Sequence, residues 1–301
     1  MTVQLSAPPL LEVDLEQRDL WLASREQFNA ATGSERDQLL LGWSNKIRRS
    51  VLEMIEHAQQ GHVGGEFSVS DILTVLFMRV LELRPAEPNW PDRDRIILSK
   101  GHSCAALYCQ LANAGFFSPA RLIEFMDPLS AFSGHPNRNE MPGIETNTGA
   151  LGHGLPVGVG AALGAKLSGR SYRTVVITGD GEMEEGSNWE ALMTGAHYGL
   201  DKLTLVVDRN RFQQGASTAQ TSSLSPLDAK LAAFGWEVRS INGHSFSELE
   251  EALTIPSDGR PVAVIANTIK GKGVSFMEDR VEWHHKVPSS DQYLAALEEL
   301  R

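Results

Sequence analysis

A doubly wound α/β layer sandwich is predicted for this 301-residue chain by three features of its sequence. Five short apolar runs are each bounded by turn residues. Helical patterns separate most of them. None of the runs alternates strictly between apolar and polar residues, as expected of strands buried on both faces. Parallel strands need crossovers, and right-handed crossovers place helices on either side of the sheet. The expected core is therefore a mainly parallel sheet of five or more strands with helices on both faces. Residues 1–14 read as a loose N-terminal arm and residues 15–301 as a single domain, a length that supports one large core.

The elements follow in order. Residues 14–30 and 35–60 read as helices. In the second, Leu39, Leu40, Trp43, Ile47, Val51, Leu52 and Ile55 recur at three- and four-residue spacing. Gly61 stops it. Ser70-Asp71 offers a cap for an apolar helix over 71–83, and Pro85, Pro88 and Pro91 mark a loop. Strands are expected at 96–98, 174–178, 203–207, 236–241 and 262–268. Helices are expected at 103–114, 151–167, 185–198, 226–234 and 246–254, with a last short one at 292–300. Ligands of such sheets bind off the carboxyl ends of the strands.

Composition narrows the function. The net charge of −11 repels a phosphate backbone on average, so nucleic acid is not an expected partner. No stretch reaches the roughly 18 apolar residues of a membrane span, and the N-terminus lacks the early basic cluster of a signal peptide. Cys104 and Cys109 are too few for a disulfide framework and lack metal-ligand spacing. They read as buried thiols in a reducing compartment, so a cytoplasmic location is expected.

The chemistry concentrates in Gly179–Phe212. The run at 174–178 gives out into Gly179-Asp180-Gly181, and the run at 203–207 into Asp208-Arg209-Asn210. With a helix between them, Asp180 and Asn210 leave neighbouring strands at one sheet edge. A carboxylate and an amide oxygen are hard donors that suit Mg²⁺ or Ca²⁺, not zinc. Two side chains leave an octahedral ion mostly open to water and substrate phosphate. Gly179 and Gly181 let backbone approach a bulky ligand, and the helix N-terminus beyond favours an anion. The expected ligand is a Mg²⁺-bridged diphosphate. Either motif alone is a common turn; their pairing on consecutive strands carries the inference.

Other motifs are read against their plainer alternatives. A single His is more often a loop or core residue than a catalyst, but His62, His102 and His135 all sit in glycine-bounded loops, which position side chains at clefts. Gly152, Gly154 and Gly158 approximate a dinucleotide fingerprint, but the spacing is wrong and no strand directly precedes them, so NAD binding is rejected. Glu182, Glu184, Glu185 and Glu190 read as solvated acids. The loop Lys270-Gly271-Lys272-Gly273 reads either as a solvated turn or as a closure over phosphates.

Taken together, Gly-Asp-Gly, a helix and a strand ending in Asn resemble the thiamine diphosphate motif. More narrowly, residues 35–290 resemble the pyrophosphate-binding domain of transketolases. The supporting motifs are Gly61-His62-Val63-Gly64-Gly65, Asp94 to His102, Gly134-His135-Pro136, Thr148 to Gly152, and Lys270 to Met277 followed by Trp283-His284. The resemblance implies thiamine diphosphate and Mg²⁺ as cofactors, with Ca²⁺ or Mn²⁺ as alternative ions. It implies that Asp180, Asn210 and the Phe212 carbonyl hold the metal. His62, His135 and His284 would lie near the donor sugar's C1 and C2 oxygens, and His102 and His284 near the diphosphate. Gly149, Ala150 and Leu151 would touch the pyrimidine ring, and Gly179, Gly181 and Glu185 would complete the cofactor contacts. Glu185 and Glu190 become an interface relay linking two active sites, while Glu182 and Glu184 stay surface charge. The sequence departs from the family at Ala150, where Pro is usual, at His153, where Gln is frequent, and at His285, where Gly usually follows the first His.

The family's pyrimidine-binding domain, with its glutamate and sugar-phosphate arginines, follows the pyrophosphate domain and has no counterpart before Arg301. The chain is therefore expected to be the N-terminal subunit of a split transketolase. It would transfer a two-carbon ketol unit from a ketose or its phosphate to an aldose acceptor. Its partner would be a C-terminal subunit carrying the pyrimidine domain, two copies of each. The alternatives are a subunit of another thiamine diphosphate enzyme (2-keto acid dehydrogenase, decarboxylase or acyloin synthase type) and a non-catalytic phosphate-binding scaffold.

Overall fold

The structure, a computed structural model, describes residues 10–301. Its sheet has five strands, all parallel, in the order β1-β2-β3-β5-β4. They are β1 Arg95–Leu98, β2 Thr174–Gly179, β3 Leu203–Arg209, β4 Glu237–Asn242 and β5 Val262–Asn267. Each overlaps its expected segment. The largely apolar runs of β2, β3 and β5, the three inner strands, are buried on both faces because helices cover both sides of the sheet.

The helices are α1 Leu15–Ala30, α2 Gly33–Ala58, α3 Val63–Val75, α4 Cys104–Asn113 and α5 Gly154–Leu167, then α6 Gly186–His197, α7 Thr218–Thr221, α8 Leu227–Ala233, α9 Phe246–Thr254 and α10 Ser290–Glu299. They form two apolar layers. On one face, α2, α3, α4 and α9 pack over Ile96, Leu98, Val175, Ile177, Val206 and Val264. On the other, α5, α6 and α8 pack over Ile97, Val176, Leu205, Val207 and Ile265. Successive strand residues point to opposite faces, so consecutive apolar residues feed both layers.

One expectation changes. The helix expected at 71–83 starts eight residues earlier, at Val63, and ends in a single π-helical turn, Leu76–Val80. Ser70 and Asp71 are not a cap; both are buried within α3. Ser70 Oγ bonds back to the Glu66 carbonyl one turn earlier in the same helix, and Asp71 is held by Arg48 of α2, so neither side chain is free to cap. The helix expected at 185–198 is found at Gly186–His197, preceded by a 3₁₀ turn, Gly181–Glu184. The expected arm 1–14 falls mostly on residues 1–9, outside the described residues; Asp14 is the N-cap of α1, its carboxylate accepting the Gln17 N–H at 3.0 Å. Among the described residues no helix is long and apolar enough to cross a membrane.

Candidate functional site

Asp180 and Asn210 do leave adjacent strands at the same edge. Gly179 of β2 is in register with Asp208 of β3, and the Asp180 N–H donates to the Asp208 carbonyl at 3.2 Å. Beyond β3 the chain turns sharply, with Arg211 at φ 70°, a left-handed conformation unusual for a bulky residue. That turn points the Arg211 N–H at Asp180 Oδ2 (2.9 Å) and the Phe212 N–H at Asn210 Oδ1 (3.2 Å). The oxygens of both side chains are thereby aimed by backbone donors.

These residues open on a cleft of about 340 Å³. Asp180, Asn210, Phe212, Gly179 and Gly181 line it, as do Gly149 and Leu151 on one side and His62, His102 and His284 on the other. The imidazoles form one cluster: His62 lies 5.2 Å from His102 and 5.5 Å from His284, centroid to centroid. His285 is exposed, its ring 4.7 Å from His62, so His284 is the one of the pair that faces the cleft. His135 is exposed and stands beside the cleft wall, its ring 3.0 Å from where a Cβ on Gly149 would lie. Gly149 has φ 146°, so a side chain there would strain the backbone as well as meet His135. Ala150 is exposed beside the lining residues. Glu185, just before α6, and Glu190, within it, are exposed; the Glu185 stem lies beside Gly152, and neither residue lines the cleft.

The cleft also takes in Lys100, to which the sequence reading gave no role, and it decides between the readings of Lys270 and Glu182. Lys100 lines it, yet its side chain is buried, with Nζ 2.6 Å from Asp208 Oδ2 and 3.1 Å from the Gly65 carbonyl. Ser68 Oγ donates to the same carboxylate at 2.6 Å, and Thr268 Oγ1 to its other oxygen. Lys270 is buried rather than part of a solvated turn, with Nζ 2.7 Å from His284 Nδ1. Glu182 is the clearest correction: it is buried, not surface charge. Its Oε1 accepts from Ser99 Oγ and from the Gly152 N–H at 3.0 Å, and Oε2 accepts the Gly179 N–H at 3.0 Å. One carboxylate thus ties the end of β1, the loop before α5 and the end of β2 together. Glu184 is half-buried against Gln213. Periodicity could not reveal Glu182, because a 3₁₀ turn carries no stripe. Lys100 did carry a readable signal, a lysine at a strand end followed by Gly-His.

Burial governs the charges here. It pushes His62 down to about 4, assisted by the nearby His285, His135 and lysines. Burial and then Lys270 push His284 down to about 3. His102 is held well below its usual value by burial and Lys100. All three rings are neutral at pH 7. Lys270 falls to about 8 through burial and repulsion by Lys100. Asp180 is pushed up to about 6, by burial first and the Asp208 carboxylate second.

The donor set fits a cation and an anion bound together. Among the described residues no three His, Cys, Asp or Glu side chains converge on a metal position, so a metal here would use carboxylate, amide and carbonyl oxygens, the set that suits Mg²⁺. Two buried hydroxyls beside the cleft lack partners: Ser103 Oγ, next to Gly65, and Thr148 Oγ1, adjoining Gly149. Buried polar atoms are normally paired, so these are free to meet a polar ligand.

Comparison with known proteins agrees. The family described as "Transketolase, thiamine diphosphate binding domain" matches residues 42–298. The chain is 46% identical, over 85% of its length and 93% of the relative's, to one of the subunits of the apulose-4-phosphate transketolase from Actinobacillus succinogenes. It is 38% identical to a 6-deoxy-6-sulfo-D-fructose transketolase subunit of a Clostridium species, covering 94% of that protein. Human transketolase is 35% identical, but the chain spans only 40% of it. The crystal structure of Campylobacter jejuni transketolase superposes with a TM-score of 0.82 at 29% identity, covering 87% of this chain and 42% of that one. The fold is accordingly the thiamine diphosphate-binding fold, and the chain belongs to the transketolase family through its thiamine diphosphate-binding domain.

Proposed function

We propose that this chain is the N-terminal subunit of a split transketolase, active with a separate subunit that carries the pyrimidine-binding domain. The observation that carries the reading is the convergence, on one cleft, of the two strand-end oxygens with three neutral histidines and Lys270. Asp180, Asn210 and the Phe212 carbonyl hold Mg²⁺, with Ca²⁺ or Mn²⁺ able to take its place. Gly179 and Gly181 give the diphosphate close backbone approach, His102 and Lys270 donate to its oxygens, and Gly149, Ala150 and Leu151 face the pyrimidine ring. When bound, thiamine diphosphate supplies the electron sink for breaking and making the C–C bond. The protein positions the reactants around it. Neutral imidazoles both donate and accept, so His62, His284 and His135 bind the hydroxyls and carbonyl oxygen of a ketose and move protons among them.

Several features support a partner. A cofactor gripped at its diphosphate needs a second surface to cover its rings. The outer face of α5 and α6 exposes Val157 and Met193, and nothing lies within 4 Å of a Cβ added at Gly160 or Gly164. Glu185 and Glu190 stand on this side, where they would relay hydrogen bonds to a partner in a two-fold assembly with two copies of each chain. The first two relatives above are named as subunits, and their names carry a phosphate in one case and a sulfo group in the other. A ketose with an anionic end is the donor class we infer, with an aldose acceptor.

The test is reconstitution. The chain alone, with thiamine diphosphate and Mg²⁺, is expected to bind cofactor but not turn over ketose phosphates. Adding the pyrimidine-domain chain restores ketol transfer. Robust turnover by the chain alone overturns the split reading, and no cofactor uptake in either state overturns the cleft assignment. Glu185→Gln is expected to keep the chain's own affinity for Mg²⁺ and diphosphate while lowering the reconstituted rate about a hundredfold or more, the scale of a lost proton-transfer contact.

The raised Asp180 carboxyl sets a pH dependence. Its folded value, about 6, lies above the ordinary aspartate value of 3.8. The proton therefore favours the folded apo chain below about pH 6, and that stability is lost as pH rises through the folded value. A cation competes with the same proton. The rise in Tm produced by Mg²⁺ with thiamine diphosphate is expected to be large at about pH 7.5 and to shrink by about pH 5.5, as read by thermal denaturation.

A further inference from the structure

Behind the cleft wall lies a second buried polar network that the proposed chemistry does not use. Asp71, in the middle of α3, takes Arg48 Nη2 at 2.9 Å and Ser44 Oγ at 2.5 Å, both from α2. Arg48 also donates to Ser44 Oγ at 2.8 Å and to the Phe67 carbonyl at 3.0 Å. The remaining partner is His244, from the turn after β4, whose Nδ1 is 2.6 Å from Asp71 Oδ2. Burial pushes the Asp71 carboxyl up, but Arg48 and His244 outweigh it and hold it well below the usual carboxylate range. The other ring nitrogen, His244 Nε2, accepts the Ile269 N–H at 2.8 Å. Accepting that bond requires a bare lone pair on Nε2. The ring proton therefore sits on Nδ1, where Asp71 receives it.

The place of this bond in the sheet explains its use. Along β5, successive N–H groups point to opposite neighbours. The Thr268 N–H still reaches the Arg209 carbonyl of β3 at 3.1 Å. Ile269 turns toward β4, but β4 has ended at Asn242, and the chain has turned away through Gly243. The His244 side chain fills the position of the missing strand partner. The next residue is Lys270. Its stem runs past Gly64, where an added Cβ would lie 2.9 Å from Lys270 Cγ, and its Nζ meets His284 in the cleft. Two further bonds fix the far side: Gly271 N–H to the Gly64 carbonyl at 3.0 Å, and Asp279 N–H to the Lys270 carbonyl at 2.9 Å.

We propose that His244, oriented by Asp71, is a positioning residue that sets Lys270, and through it His284, against the diphosphate end of the cleft. The proposal rests on the cofactor reading given above. A carboxylate that orients an imidazole, which in turn fixes a site residue, is the arrangement that tunes ligands around bound ions. Here the last link is a backbone N–H instead of a metal.

The test uses the full chain and three variants. His244→Phe keeps the ring volume and removes both bonds. His244→Gln keeps one donor and one acceptor. Lys270→Met removes the side chain acted upon. Mg²⁺–thiamine diphosphate affinity is measured by calorimetry. His244→Phe is expected to weaken binding about tenfold, and His244→Gln to recover most of that loss. In the Lys270→Met background, His244→Phe is expected to add less than about twofold, since residues acting through one another are not additive. Unchanged affinity in His244→Phe overturns the proposal, and so does an undiminished loss in the Lys270→Met background. The ¹⁵N signals of His244 in the unaltered chain decide the case without a variant that must fold: Nδ1 protonated and Nε2 bare supports the proposal, and a proton on Nε2 overturns it. Failure of the unaltered chain to take up cofactor refutes the reading of the cleft instead. The positioning claim is then decided by the Lys270 side-chain signal, which must shift in His244→Phe and hold in His244→Gln.

Discussion

Asp180→Asn is expected to reduce reconstituted ketol transfer by at least about a thousandfold, roughly 4 kcal/mol of transition-state stabilisation. Loss of a residue that merely supports a metal ligand costs about 10–100-fold in affinity, and Asp180 is proposed as a ligand itself. The substitution keeps the shape and one oxygen for the Arg211 N–H, but removes the charge that faces the cation. The folded chain is not expected to suffer. Burial and Asp208 already push the Asp180 carboxyl up to about 6, so its charge is unfavourable without a cation. The apo Tm of Asp180→Asn at about pH 7.5 is expected to equal or exceed that of the unaltered chain, and the Mg²⁺-dependent rise to disappear. A variant that loses activity and apo stability together would assign Asp180 a structural role.

Lys100→Met carries the second large effect, and it falls on stability. The Lys100–Asp208 pair is almost completely buried. Removing one charge strands the other in the interior, which costs roughly 3–5 kcal/mol. Ser68 and Thr268 soften but do not replace the lost cation, because hydroxyl dipoles neutralise no charge. Asp208→Asn is expected to cost a similar amount, and the double variant Lys100→Met/Asp208→Asn clearly less than the sum. Urea denaturation of the apo chain measures all three. Strict additivity would show that the two side chains act independently despite their 2.6 Å separation. The pair also braces the cleft floor, since Lys100 reaches the Gly65 carbonyl, so cofactor affinity is expected to fall alongside.

Much of this was legible in the chain. Strands buried on both faces announce themselves as short apolar runs, so all five were found, and with them the meeting of Asp180 and Asn210. Glycine-bounded histidines marked His62 and His102 as cleft residues. What stayed hidden depended on distant partners. Ser70-Asp71 has the local signature of a helix cap, but Arg48 and His244, far away in sequence, turn Asp71 into a buried anion. Glu182 looks like one acid in an acidic stretch. Only the fold brings Ser99, Gly152 and Gly179 around it, making it a strut. Lys270 could be read as a solvated turn because nothing local says that Gly64 will lie along its stem and His284 at its tip.

The two apolar layers differ in depth, and this shapes how the molecule opens. The side covered by α2, α3, α4 and α9 holds the larger cluster, including Phe67, Phe77 and Phe116. The side covered by α5, α6 and α8 is thinner and exposes Val157 and Met193. Sub-global opening follows the weaker packing. Amides of α5 and α6 are therefore expected to exchange with deuterium sooner than those of α2 and α3 in the apo chain. The loop before α5 and the segment leading into α6 both line the cleft, so a ligand seated there ties down the roots of the thin layer. The α2–α3 side is left to exchange only when the whole domain unfolds.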